Sequence, residues 1–337
     1  MTILYIIYAI IMFCLLIFVH ELGHFLAAKS CGVKVNEFAL GMGPAFFKRQ
    51  RGETKYSLRA VPIGGYCAME GEDEDSDNPR AFNSKPAWKR AIVLAAGSFM
   101  NWLLCILLLI IVALFAGSAT TTIDKTEPGS PAQHAGIKAG DQIRTINGSV
   151  IGQWTDVTTA IGTGDKTKQV TVKVSRDGKD MTFVMDTMKS GDGRQIIGIT
   201  PALTHNPFIA AKTGVTGTWN MAKMMGSALK QLFSGQASMK QLSGPVGIVY
   251  AVTATAKTGF GNLLVLTAFI SLNLGIVNML PWPALDGGRL IFLLIRKITG
   301  KAITAEMEGK IHFAGIIILF GLMIYVTWND ITRLVGG

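Results

Sequence analysis

The placement of charge along this chain predicts a polytopic α-helical membrane protein of about four transmembrane helices, with a membrane-associated strand hairpin in its first loop and a β-rich aqueous domain inserted after the second span. Three observations lead there. Of 337 residues, 49% are hydrophobic and only 16% charged, where soluble domains carry about 25% charge. No Asp, Glu, Lys or Arg occurs from Met1 to Val19, Ala91 to Ile123, Thr258 to Leu285 or Ile311 to Asn329, and about 20 apolar residues suffice to cross a hydrocarbon core. Between the second and third of these stretches, from Thr120 to about Thr200, the composition becomes polar, alternating and punctuated by glycine.

The first span, Met1 to Val19, lacks a basic n-region and a small-residue cleavage site, so it reads as a retained helix rather than a signal peptide. In the loop that follows, Lys55 to Leu58, Ala60 to Ile63 and Gly64 to Met69 alternate like short strands, with breaks at Pro62 and a turn at Gly64-Gly65. The acidic run Glu70 to Asp77 reads as a solvated turn. After the second span, Pro131 is placed to start a short helix and Gly136 to end it. Gly140-Asp141 turns the chain into a strand, Ile143 to Ile146, and further strands run over Val170–Val174 and Met181–Met185. From Asn206 to Phe233 apolar residues recur at helical spacing beside Lys212, Lys223 and Lys230, the pattern of an amphipathic helix at an outer membrane interface; Gly244-Pro245-Val246-Gly247 then interrupts the chain. The expected divisions are a first membrane half (1–119), the aqueous domain (120–203), an amphipathic segment (204–258) and a second membrane half (259–337).

The formal net charge is +10, but the basic residues sit beside the apolar spans rather than in a stripe, so the expectation is a lipid bilayer as partner and no nucleic acid. They crowd both borders of the first loop, from Lys29 and Lys34 to Lys89 and Arg90, whereas the second span exits into Thr120–Asp124 without one. The first loop is therefore expected on the cytoplasmic side and the aqueous domain outside. Cys14 and Cys105 fall in spans, Cys31 and Cys67 in or beside the first loop, which is no disulfide framework.

At the inner end of the first span stands His20-Glu21-Leu22-Gly23-His24. Histidines at i and i+4 share a helix face and can bind one zinc ion, while Glu21 can reach a water on that ion as acid and base. Zinc brings such a water's pKa to about 7 and polarises a carbonyl. Ionisable groups inside a span are costly and point to function. A catalytic zinc keeps three protein ligands and one open position. The third span offers a candidate: Asp286 follows Pro281-Trp282-Pro283, a break in the helix, and lies at the same cytoplasmic side. A helix-terminal Asp paired with Arg289 is the structural alternative.

Two motifs carry a family resemblance: the HELGH sequence in the first span and Asn278-Met-Leu-Pro-Trp-Pro-Ala-Leu-Asp-Gly-Gly288 in the third. Between them, Glu127 to Gly148 resembles a PDZ domain, which implies a groove accepting an extended peptide. Together these resemble the site-2 protease family of intramembrane zinc metalloproteases, of the bacterial RseP/RasP type, over essentially the whole chain. The resemblance implies Zn2+ as cofactor, His20, His24 and Asp286 as metal ligands and Glu21 as the catalytic acid and base. It further implies Asn278 as a substrate-holding residue and Gly64, Gly65 and Tyr66 as part of a hairpin beside the active site, and it matches Gly97 and Asn101 to a GxxxN pattern in the second span. The implied location is the bacterial cytoplasmic membrane, with the active site near its inner face. The implied partners are the transmembrane helix of a single-pass substrate and, at the PDZ domain, a peptide or truncated ectodomain, read or excluded by size. Ala96-Gly97-Ser98 departs from a common Gly-Pro pair, and one PDZ domain stands where the proteobacterial form has two. A catalytically inactive PDZ-bearing scaffold or chaperone is the competing reading, and a metal transporter, which calls for ionisable residues in several spans, is a third.

Overall fold

A computed structural model of the chain describes residues 2–72, 74, 76–162, 169–191, 193–236, 243–299 and 305–336. In chain order the elements are α1 (Thr2–Ser30), β1 (Val35–Arg51), β2 (Thr54–Met69), α2 (Ala87–Ala116), β3 (Ser118–Thr126), α3 (Pro131–Ala135), β4 (Gln142–Ile146), β5 (Ser149–Val150), α4 (Trp154–Gly162), β6 (Gln169–Arg176), β7 (Lys179–Asp186), β8 (Met188–Lys189), β9 (Gln195–Ile196) and β10 (Ile199–Thr204). The helices α5 (Pro207–Phe233), α6 (Pro245–Thr258), α7 (Phe260–Asn278), α8 (Asp286–Thr299) and α9 (Ala305–Gly336) complete the chain. They form two compact units, residues Met1–Ile110 with Gly214–Gly337, and residues Ile111–Thr213. Among the described residues four helices are long and apolar enough to cross a membrane: Ile6–Ser30, Ala87–Ala116, Phe260–Asn278 and Glu306–Val335. On α9, Phe313, Ile317, Phe320, Ile324 and Trp328 are all more than half exposed, as a lipid-facing helix requires.

In the first unit the spans pack through small residues, which is how helices associate where lipid is as apolar as leucine. Gly23 of α1 lies directly against the Ala96 carbonyl of α2, and a Cβ on Gly275 of α7 would stand 2.9 Å from the Ser98 carbonyl. Ser271 Oγ donates to the Asn101 carbonyl at 2.9 Å. Leu16, Cys105, Val252, Ala268 and Leu272 are buried where α1, α2, α6 and α7 meet. Helix α5 runs along α2, where a Cβ on Gly214 would stand 3.0 Å from the Ile106 carbonyl and Thr218 Oγ1 lies 3.4 Å from Cys105 Sγ. Its N-terminal cap and apolar spacing form the expected helix, but these contacts hold one face of it against a transmembrane helix. Gly244 does not end a segment so much as begin α6: its N–H and that of Gly247 donate to Asp330 Oδ2 at 2.9 and 2.7 Å. Asp330 thus satisfies two orphan donors of a helix N-terminus.

The hairpin differs from expectation. Instead of short strands turning at Gly64-Gly65, two long strands meet at a turn through Gly52 and Glu53, and both glycines lie inside β2. A φ of +86° at Gly41, +80° at Gly43 and +83° at Gly64 bends the strands without ending them. Residues 37–40 pair with 55–58 and also with 65–68, so the ribbon doubles over itself. The acidic run is more than a solvated turn: Glu70 accepts from Asn36 at 3.0 Å and Ser76 at 2.8 Å, and Glu72 pairs with Arg289 at 2.5 Å. Asp73 and Asp75 of that run lie outside the described residues.

The second unit holds a six-stranded sheet of order β10-β3-β4-β6-β7, with β5 on β4. Ser130 caps α3 by accepting from the Gln133 N–H, and Gly136 ends it in the left-handed conformation. Ile123, Ile143, Ile146, Val157, Val172 and Val174 form its core.

Candidate metal centre

His20 and His24 lie on one face of α1, both more than nine-tenths buried, with their Nε2 atoms 3.2 Å apart. Helix α2 meets that face with a stripe spaced one helical turn apart: Val93, Gly97 and Asn101. Each presents a different group. The Val93 carbonyl lies 2.8 Å from His24 Nδ1; a carbonyl only accepts, so Nδ1 carries the proton and Nε2 offers its lone pair. A Cβ on Gly97 would overlap the His24 imidazole and stand 2.8 Å from His20 Cε1. The fully buried Asn101 places its amide 3.3 Å from His20 Nδ1, leaving Oδ1 without a hydrogen-bond partner among the described residues. Turning the amide over aims Oδ1 at His20 Nδ1–H, satisfies both groups and frees Nε2.

The break after α7 delivers the third group. Helix α7 ends at Asn278, the chain crosses Leu280 to Leu285 irregularly, and α8 begins at Asp286. Pro281 and Pro283 cannot donate to a helix. Gly287 and Gly288 lie directly on the carbonyls of Leu280 and Trp282, where a side chain would collide. Asp286 Oδ2 therefore reaches 3.3 Å from His20 Nε2 and 3.4 Å from His24 Nε2, and it is buried without a hydrogen-bond partner among the described residues. The three donor atoms form a triangle with edges of 3.2, 3.3 and 3.4 Å. A tetrahedron of donors about 2.0–2.1 Å from a zinc ion has edges of about 3.3–3.4 Å, so this trio fits one face of a zinc site and leaves the fourth corner open. Asn278 Nδ2 stands 3.2 Å from His20 Nε2 at the same cluster.

Glu21, one residue on from His20, faces the hairpin. A Cβ on Gly65 would stand 3.3 Å from Glu21 Cγ. Gly64 packs on Met42 instead. Tyr66, between Gly65 and Cys67 on the strand, turns its hydroxyl to Arg59. Arg59 donates to Glu37 at 2.9 Å, and Ser57 and Lys55 donate to the same carboxylate at 2.6 and 3.1 Å. Burial pushes the Glu37 carboxyl up, but these donors outweigh it and hold the group down at about 2. The sequence-predicted residues thus divide: His20, His24, Asp286 and Asn278 converge, Glu21 and Gly65 lie beside them, and Gly64 and Tyr66 brace the hairpin.

The model of peptidase family M50 matches residues 8–322. The chain belongs to peptidase family M50. A Clostridium acetobutylicum chain that bears the name of a zinc metalloprotease is 42% identical over 330 residues, 97% of each chain. The regulator of sigma-W protease RasP of Bacillus subtilis is 33% identical, covering 96% of this chain and 97% of its own. The PDZ domain of an SdrC-like protein from Listeria monocytogenes aligns with 25% of this chain and 88% of its own at 19% identity and a TM-score of 0.23. This M50 member is a zinc metalloprotease with several membrane-crossing helices. Within it, sequence reasoning missed the Val93 carbonyl, which carries no side-chain signal.

Proposed function

We propose that this chain hydrolyses peptide bonds within the transmembrane segments of single-pass membrane proteins, using His20, His24 and Asp286 as zinc ligands and Glu21 as acid and base. The observation that carries the reading is the donor triangle, two imidazoles and a carboxylate buried on apolar helices with the carboxylate oxygen unpaired. An inactive scaffold would leave that oxygen's desolvation unexplained. When bound, zinc supplies a Lewis acid that polarises a carbonyl and acidifies a water. Glu21 takes a proton from the attacking water and returns it to the leaving amide nitrogen. The substrate helix hides its carbonyls in its own hydrogen bonds, so it must first unwind. The segment Gly65 to Met69 then offers a strand edge close to Glu21 for backbone pairing, and Asn278 donates to the captured backbone.

The basic first loop assigns the hairpin and the metal centre to the cytoplasmic side of the bacterial cytoplasmic membrane, and the β-domain to the outside. That domain, read as PDZ, either receives a peptide end or excludes bulky ectodomains, so substrates arrive already trimmed. The name of the Bacillus subtilis relative, regulator of sigma-W protease, favours a membrane-bound regulator of a sigma factor over leftover signal peptides as the first substrate class to test.

The experiment compares wild type with Glu21→Gln in detergent on a model single-pass substrate, at matched zinc content. The expected result is a loss of at least 10³-fold in cleavage, on the order of removing acid–base catalysis, with zinc retained. Equal cleavage by both overturns the role of Glu21.

A further inference from the structure

The loop that delivers Asp286 is held from behind by α9. Ala284 has φ of +80°, a left-handed conformation that costs a residue with a Cβ; it follows Pro283 in a turn that the Leu285 N–H closes on the Trp282 carbonyl at 3.2 Å. Its N–H donates to His312 Nδ1 at 2.8 Å. Nδ1 can accept only with its lone pair free, so His312 is neutral with its proton on Nε2. That atom is buried, has no hydrogen-bond partner among the described residues and lies 3.7 Å from Glu308 Oε1 one turn earlier on α9. Glu308 is in turn fixed by Arg296 of α8 at 2.5 Å. The imidazole packs edge-on against Phe292, centroids 5.5 Å apart. One turn beyond His312, a Cβ on Gly315 would stand 2.6 Å from Pro283, so α9 presses on this loop with no side chain between.

We propose that His312 is a positioning residue for the metal centre: by accepting from Ala284 N–H it locks the left-handed turn that sets Asp286 at the start of α8, with Glu308 and Arg296 orienting the ring. This rests on Asp286 being a zinc ligand. Residues that orient a ligand without touching the metal change affinity by about 10–100-fold. Side chains that merely fill space would not require an acceptor at the Nδ1 position.

The test uses the full-length protein in detergent and reads zinc retained during a chelator challenge, the visible spectrum of the cobalt-substituted form, and cleavage. His312→Leu is expected to lose zinc at least tenfold faster than wild type with an altered cobalt spectrum. His312→Asn, whose Oδ1 falls near the Nδ1 position, is expected within about threefold of wild type. Adding Ala284→Gly, which relaxes the positive φ, is expected to restore part of the retention lost in His312→Leu. The proposal is overturned if His312→Leu holds zinc as wild type does, or if His312→Asn fails as badly as leucine and Ala284→Gly brings no relief. If His312→Leu does not fold, His312→Gln decides: its acceptor is displaced by one methylene, so an unaltered cobalt spectrum overturns the proposal. Asp286→Ala separates the two levels. Zinc retained by that variant removes the ligand reading itself, whereas zinc lost there but kept in His312→Leu removes only the role of His312.

Discussion

The imidazole of His24 has one tautomer open to it, because the Val93 carbonyl at its Nδ1 accepts and cannot donate. His20 has the same need and meets it with Asn101, the only side chain in the α2 stripe that supplies a polar group. Replacing Asn101 by Leu leaves His20 Nδ1–H unpaired in an apolar interior, and zinc affinity is expected to fall about 10–100-fold; competition with a chelator of known affinity measures it, and unchanged affinity would contradict a hydrogen bond from His20 Nδ1–H to Asn101 Oδ1. Much at this scale is legible in the sequence. Two histidines four apart with Glu21 between them, at the end of a charge-free stretch, leave few bland explanations, and Asp286 after a double-proline break points the same way. The main-chain partner is not legible, since a carbonyl like that of Val93 exists at every position and only folding selects it. His312 does carry a signal, an imidazole in an apolar span, but its partner, the Ala284 N–H, is again backbone.

Among the elements, α3 and β4 emerge where their punctuation places them: Pro131 at the start of the helix, Gly136 after it, and Gly140-Asp141 ahead of the strand. The structure adds what Asp141 does. Its fully buried carboxylate accepts from Arg176 at 2.6 and 2.7 Å and from the Lys138 N–H at 2.9 Å, while Arg176 also donates to the Gly136 carbonyl at 2.8 Å. Burial raises the Asp141 pKa, but Arg176 and the Lys138 amide more than offset this and hold it below the usual carboxylate range. A depressed carboxyl contributes stability that is complete above its ordinary pKa, about 4, and is lost as pH falls through the lower folded-state value. Asp141→Asn is therefore expected to destabilise the β-domain by roughly 1.5–3 kcal/mol at pH 7 and to flatten its acid limb below about pH 4. Thermal melts across pH check both, and an unchanged melting profile would remove Asp141 from this role. The hairpin is less legible. Glycines that usually break helices and form turns serve here as bends inside two long strands, and the pairing of residues 37–40 on both sides depends on contacts far apart in sequence.

At the scale of the whole molecule, four charge-free stretches mark four long apolar helices, because hydrocarbon excludes charge more strictly than any protein core. What the stretches cannot show is that the third ends early, at Asn278, and that its remainder becomes the irregular segment through which Asp286 reaches α1. Two helices that are distant in sequence, α1 and α8, thereby bring two imidazoles and one carboxylate into a triangle within an apolar bundle, and that is where hydrolysis is proposed to take place. The most direct test reconstitutes the zinc-loaded protein in lipid vesicles with a single-pass substrate trimmed on its outer side, and identifies the new termini by mass spectrometry. The expected result is one dominant cut inside the substrate's apolar segment, toward its cytoplasmic end, absent with Glu21→Gln. Cuts confined to the aqueous flanks, with the apolar segment intact, would contradict it.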